Sequence, residues 1–162
     1  MNSTLLTTLL WFCALGCGLL AGLYFAFSAF IMTALDRAGP AHAIAVMNSI
    51  NLTILRSPFM PVFFGTTLGA AALVQIGFMG GQTRADILMV AGGLTYVLGM
   101  FVVTMAANVP LNNKLAAAHA TSGQAVVTWQ RYLIAWTRWN HVRTLTSLLA
   151  SSAFVAVLVL SR

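Results

Sequence analysis

The chain has 162 residues, of which 60% are hydrophobic and only 6% charged. A soluble domain carries roughly 25% charged residues, so this composition excludes a water-facing globular surface. The net charge of +6 comes from scarcity of acids, since Asp36 and Asp86 stand against eight bases, and those bases are scattered rather than gathered into the basic face of a nucleic-acid binder.

Residues 1–35, 57–83, 87–113 and 144–161 contain no Asp, Glu, Lys or Arg. Crossing a hydrocarbon core takes about 20 helical residues. In lipid every backbone N–H needs an internal partner, which leaves helices or closed barrels. These runs lack the ~10-residue alternation of barrel strands. The expected fold is therefore all-α: one domain over residues 1–162, a four-helix transmembrane bundle with a short interfacial helix between spans 1 and 2 and an extended last helix.

In chain order, the first helix is predicted from Ser3 to Leu35 and ends at Asp36-Arg37-Ala38-Gly39-Pro40. The absence of a basic n-region makes residues 1–35 a retained span rather than a cleaved signal. Cys13 and Cys17 share one face at a spacing unlike a CxxC pair, so they are expected to be packing residues. Residues 41–54 form the short helix. Ser57-Pro58 opens the second span, which ends near Gly80-Gly81. The third span runs from Ile87 to Ala107, and Asn108-Val109-Pro110-Leu111-Asn112-Asn113 is expected to interrupt it. After a break at Thr121-Ser122-Gly123, the last helix is predicted from Gln124 to Leu160, ~55 Å long at 1.5 Å per residue. Its first half is expected at or beyond the membrane interface.

Small residues recur every four positions at Ala14, Gly18, Gly22 and Ala26, at Gly65 and Gly69, and at Ser147 and Ser151. Such stripes let helices approach closely, within the bundle or across a homo-oligomer. Arg37, Arg56, Lys114, Arg131, Arg138 and Arg143 fall on the side of the 1–2 and 3–4 connectors, against Arg84 and Arg162 on the other. This bias makes loops 1–2 and 3–4 cytoplasmic, with a bacterial inner membrane as the expected location.

Polar chemistry concentrates on the last helix. At roughly 100° per residue, Trp129, Tyr132, Trp136, Trp139, Asn140 and Arg143 share an arc about 100° wide. Arg131 and Arg138 fall on the opposite side. An interfacial aromatic belt accounts for Trp129 and Tyr132. It accounts poorly for Asn140, and a ligand pocket floored by Trp136, Trp139, Asn140 and Arg143 is the competing reading. Asn108, Asn112 and Asn113 flank Pro110, where amides can cap freed backbone groups. Asn48 and Asn51 share a face of the short helix with Ile44 and Leu55. These amides and one arginine suit an anionic or enolate oxygen.

None of the three histidines, His42, His119 and His141, lies mid-membrane or has HxxxH or HxxE spacing, so no metal site is expected. His42 and His141 are the candidate bases near neutral pH. Haem would need axial ligands within the bundle, and a proton-coupled exporter an intramembrane acid. Neither is present.

GLYFAFSAFIMTALDR (22–37), HAIAVMNSIN (42–51), NVPLNN (108–113) and WQRYLIAWTRWNHVRT (129–144) resemble the anthrone oxygenase-like membrane family over nearly the whole chain. NVPLN and the W-x6-W-x2-W-N-x2-R string are the specific parts. The resemblance implies a four-helix membrane protein and, from some fungal relatives, oxidation of an anthrone to an anthraquinone with O2. It implicates Asn51, Asn108, Asn112, Trp136 and Trp139 in binding a planar, anthrone- or hydroquinone-like substrate, with Asn140 and Arg143 at the developing oxyanion. His42 or His141 would take the proton. An aromatic enolate can pass an electron to O2 unaided, so no cofactor is expected. The expected partners are the bilayer and a hydrophobic small molecule. A non-catalytic membrane protein that binds an apolar ligand or a partner protein is the alternative.

Overall fold

The computed structural model describes residues 3–118 and 125–160, so His119, the expected break at Thr121-Ser122-Gly123 and the expected start at Gln124 lie outside the described residues. Five helices account for the described chain: α1 (Ser3–Arg37), α2 (Pro40–Ile54), α3 (Phe59–Met79), α4 (Arg84–Ala116) and α5 (Ala125–Leu160). All but α2 are long and apolar enough to cross a membrane. Their outward faces carry Leu15, Leu19, Phe25, Leu68, Leu98, Leu145 and Leu149, a surface that lipid tails solvate and water does not.

The helix ends follow from local chemistry. Gly39 has φ 89°, a left-handed conformation open to glycine, and Pro40 begins α2 with a φ suited to a first turn. Thr83 and Asp86 cap α4 reciprocally: the Asp86 N–H donates to Thr83 Oγ1 at 3.2 Å, and the Thr83 N–H donates to Asp86 Oδ2 at 3.0 Å.

The interruption predicted at 108–113 does not occur. Helix α4 continues through it to Ala116, by way of π-helical turns at Val97–Val102 and Thr104–Asn108. The Val109 N–H bonds the Thr104 carbonyl, five residues back. The hydrogen-bond ladder is thus already displaced where Pro110 withholds its donor, and the proline enters without ending the helix. A third π turn, Phe27–Ile31, lies inside α1, which runs past Leu35 to Arg37.

Helix α5 is the rod on which the others assemble, packing most extensively on α1 and then on α4, while α3 closes against α4 and α1. Two cores lie along it. One joins all four spans through Leu20, Leu73, Met100 and Phe154, with the buried Cys13 and Cys17 among them. The other, toward the connectors, packs Ile44 and Met47 of α2 and Leu115 of α4 on Trp129, Tyr132 and Trp136. Ser151 donates to the Ala14 carbonyl at 2.8 Å, so part of the predicted small-residue stripe is used. Gly22 is not: it is exposed with open space around it. The close approach is at Gly16, whose missing Cβ leaves room for Thr66, and at Gly69, beside Cys13. Gly16→Leu is expected to lower stability by about 1–3 kcal/mol through overpacking. Gly22→Leu should stay within about 0.5 kcal/mol. Thermal unfolding of the two variants in one detergent checks both.

Candidate functional site

One face of α5 turns inward. Trp129, Tyr132, Trp136, Asn140, Arg143, Ser147 and Ala150 are all buried, and Arg131, Arg138 and His141 are exposed. Three- and four-residue steps keep the buried set on one side of the rod. Trp139 departs from the prediction. It is 44% exposed, because it sits at the edge of an arc wider than the helix's line of contact.

Two polar residues hold this face against α1. Asn140, fully buried, donates through Nδ2 to the Tyr24 carbonyl and to Ser28 Oγ, both at 2.6 Å. Its Oδ1 accepts from Arg143 Nη2 at 2.6 Å. The Arg143 guanidinium, only 6% exposed, lies 4.4 Å from the Tyr24 ring centroid and 5.0 Å from that of Trp136. Two aromatic faces and one amide oxygen are its neighbours, with no carboxylate. Both acids are engaged elsewhere. Asp36 Oδ1 accepts from Trp129 Nε1 at 2.8 Å and Gln130 Nε2 at 3.0 Å, and Asp86 caps α4. A desolvated cation–π contact contributes about 2 kcal/mol, well short of what burying a guanidinium costs.

Beside this cation lies a cavity of about 300 Å³, walled by α1, α2, α3, α4 and α5. Its lining is mostly apolar, including Leu23, Phe27, Met47, Ile54, Phe63 and Val109. Polar groups among the lining residues are Tyr24, Asn51, Thr104, Asn112, Trp136 and Arg143. Two of these carry a buried N–H with no acceptor, Trp136 Nε1 and Arg143 Nε, while the Asn51 amide faces the Tyr132 hydroxyl. Buried donors are normally satisfied, and leaving one unpaired costs about 1–3 kcal/mol. Two such groups belong to residues lining one apolar space.

The sequence-predicted residues divide into three groups. Asn51, Asn112, Trp136 and Arg143 line the cavity together. Asn108 and Asn140 stand behind it. Asn108 donates to the Trp136 carbonyl at 3.3 Å, and Asn112 Oδ1 accepts the Tyr132 hydroxyl at 2.9 Å, so both tie α4 to α5. His42, His141 and Trp139 are outside it. His42 is exposed at the start of α2, and His141 borders a separate shallow groove with Ser28, Thr33, Asp36 and Arg138. No described residue that lines the cavity is a His, Asp or Glu. Among the described residues, no three His, Cys, Asp or Glu side chains converge as a metal site would need.

Sequence reasoning missed Tyr24 and Ser28 as partners of Asn140 and Arg143. Their spacing of four on a charge-free span was the available signal. It also missed the π turns, which supply Phe27, Thr104 and Met105 to the lining. Such turns are frequent at functional sites.

Residues 55–153, more than half of the chain, match the family described as Anthrone oxygenase. No curated protein and no solved structure matches the chain.

The two members of the buried pair are expected to differ in their cost to stability. Asn140→Ala leaves the Arg143 Nη2 donor unpaired on a buried charge and is expected to cost about 1–3 kcal/mol. Arg143→Met removes the charge together with its desolvation cost but strands the Asn140 Oδ1 acceptor, so its loss is expected to be smaller. Melting temperatures in one detergent check the order: that of Arg143→Met should fall less than that of Asn140→Ala.

Proposed function

The chain belongs to the anthrone oxygenase family, and from that premise we propose that it oxidises a planar, hydrophobic, anthrone-like aromatic to the corresponding quinone with O2 and without a cofactor. One observation carries the reading: a buried guanidinium without a carboxylate partner, beside the unpaired indole N–H of Trp136, in the wall of an apolar cavity.

An anthrone has a keto oxygen and, opposite it, an acidic methylene. Loss of a methylene proton gives an enolate whose charge rests on the oxygen. Arg143 and Trp136 supply donors suited to that oxygen, and they favour the anion over the neutral ketone. Phe27, Trp136 and Tyr24 offer ring surfaces for the fused rings. The electron-rich enolate gives one electron to O2, and the resulting radical and superoxide combine at the former methylene carbon as a hydroperoxide. Breaking its O–O bond with loss of the remaining C–H proton releases water and leaves the second quinone carbonyl. The balance is anthrone plus O2 to anthraquinone plus water.

The proton acceptor in this scheme is solvent hydroxide or the substrate's own phenolate, because among the described residues no carboxylate or imidazole lines the cavity. The same observation favours a second reading, in which the cavity binds such a ligand and does not turn it over. Oxygen uptake by the purified protein supplied with a hydroxylated anthrone separates the two. On the catalytic reading, Trp136→Phe keeps the ring, loses one donor and lowers kcat by about 100-fold. His42→Ala and His141→Ala retain activity, and the rate rises with pH along the substrate's own ionisation. Binding without oxygen uptake selects the second reading.

The positive bias of the two connectors on the α2 side supports a cytoplasmic location for that side and for the adjoining cavity. An impermeant maleimide applied to intact cells should therefore label Gly81→Cys and spare Ala38→Cys. Cys13 and Cys17, both buried, give little background.

A further inference from the structure

The short helix α2 covers part of the cavity, and the exposed part of its lining lies at the end of α2 and on α3 and α4. Ile44 and Met47 are 1% exposed and packed with Leu115, Trp129 and Tyr132. The lining residues that are exposed are Leu55 at the end of α2, Phe64 on α3 and Met105 in the second π turn of α4, at 60%, 46% and 50%. All three are apolar. Phe64 lies five residues into α3, about 8 Å along its axis, below the level where the exposed Arg56 precedes the helix. On α4 the exposed base, Lys114, lies nine residues beyond Met105. Basic side chains mark the headgroup level by snorkelling, so this opening sits just inside the hydrocarbon layer. A mouth facing water would expose charged or amide groups. This one exposes a leucine, a phenylalanine and a methionine, while the unpaired donors belong to Trp136 and Arg143, neither of which is exposed.

We propose that the cavity is loaded from the bilayer, through the gap between α3 and α4, by a flat ligand that enters with its oxygen-bearing edge first. This rests on the proposed function for the ligand's class but not for its turnover. The rim of Phe64 and Met105 passes a planar ring system held on edge. The apolar edge of the bound ligand stays toward lipid, and the oxygen reaches the donors. Substrate concentration is then set by partition into the membrane, and apolar substituents on the trailing edge are tolerated.

The test uses the full chain in phospholipid vesicles, with a nitroxide attached in turn at Phe64→Cys, Met105→Cys and Leu55→Cys. The buried Cys13 and Cys17 are expected to stay unlabelled, which labelling of the unmutated chain checks. Collisional relaxation by O2, which concentrates in lipid, is expected to exceed that by a water-soluble nickel chelate several-fold at Phe64→Cys and Met105→Cys. Adding a dihydroxyanthraquinone, a planar phenol that is not consumed, should immobilise both labels and lower their oxygen access. Nickel access exceeding oxygen access, or spectra indifferent to the added phenol at all three positions, overturns the proposal. Lateral access with no oxygen uptake from an anthrone would sink the catalytic reading and leave this one standing. Oxygen uptake with a nickel-accessible rim would do the reverse.

Discussion

A guanidinium buried in a lipid-embedded bundle, with no acid to neutralise it, is the interaction around which the rest of this structure is arranged. Arg143 is held by the Asn140 amide and by the faces of Tyr24 and Trp136. Asn140 in turn is held by the Tyr24 carbonyl and Ser28. These contacts satisfy part of the charge's solvation and leave Nε unpaired. A membrane protein keeps such a group at considerable cost, and in general it faces a functional interior. Here the interior is an apolar cavity, so the missing interaction is one that an oxygen-bearing ligand can supply.

That arrangement needs a rigid support, and α5 provides it. Its 36 residues span both cores. Between them, the one helix positions an aromatic stack at the connector end, the polar pair in the middle and small residues where the spans approach. Trp129, Tyr132 and Trp136 follow one another at centroid distances of 5.8 and 6.2 Å. The stack is anchored at Asp36 through Trp129 and at Asn112 through Tyr132. Much of the aromatic character that a membrane belt would explain is thus spent on fixing α2 and α4 to the rod. The π turns of α1 and α4 lie at this same level. There a displaced backbone ladder admits Pro110 and brings Thr104 and Met105 to the cavity wall.

The polar pair also explains why a cavity survives in a bundle that could have collapsed. Filling the space with apolar side chains would leave the N–H groups of Trp136 and Arg143 without water or partner. Keeping it open costs packing but lets a ligand satisfy them. The structure thus trades some packing for binding capacity, as functional sites commonly do.

The four crossings are legible in the residue order alone, because charge is so costly in hydrocarbon that its absence over four long runs leaves little alternative. The inward side of α5 is legible there as well, since a period near 3.6 residues separates Trp136, Asn140 and Arg143 from Arg131 and Arg138 whatever packs against them. Periodicity resolves a face and not its edge, so Trp139 was misjudged. Proline's usual effect on a helix gave a break at Pro110, whereas a shifted backbone register carried the helix through. Which polar groups are paired depends on how the helices meet. The partners of Asn140 are on α1, 116 and 112 residues away, and no local pattern reports a donor left over after such pairing. The cavity is likewise a remainder, the space that five helices fail to fill, and exists only once their crossing positions are fixed.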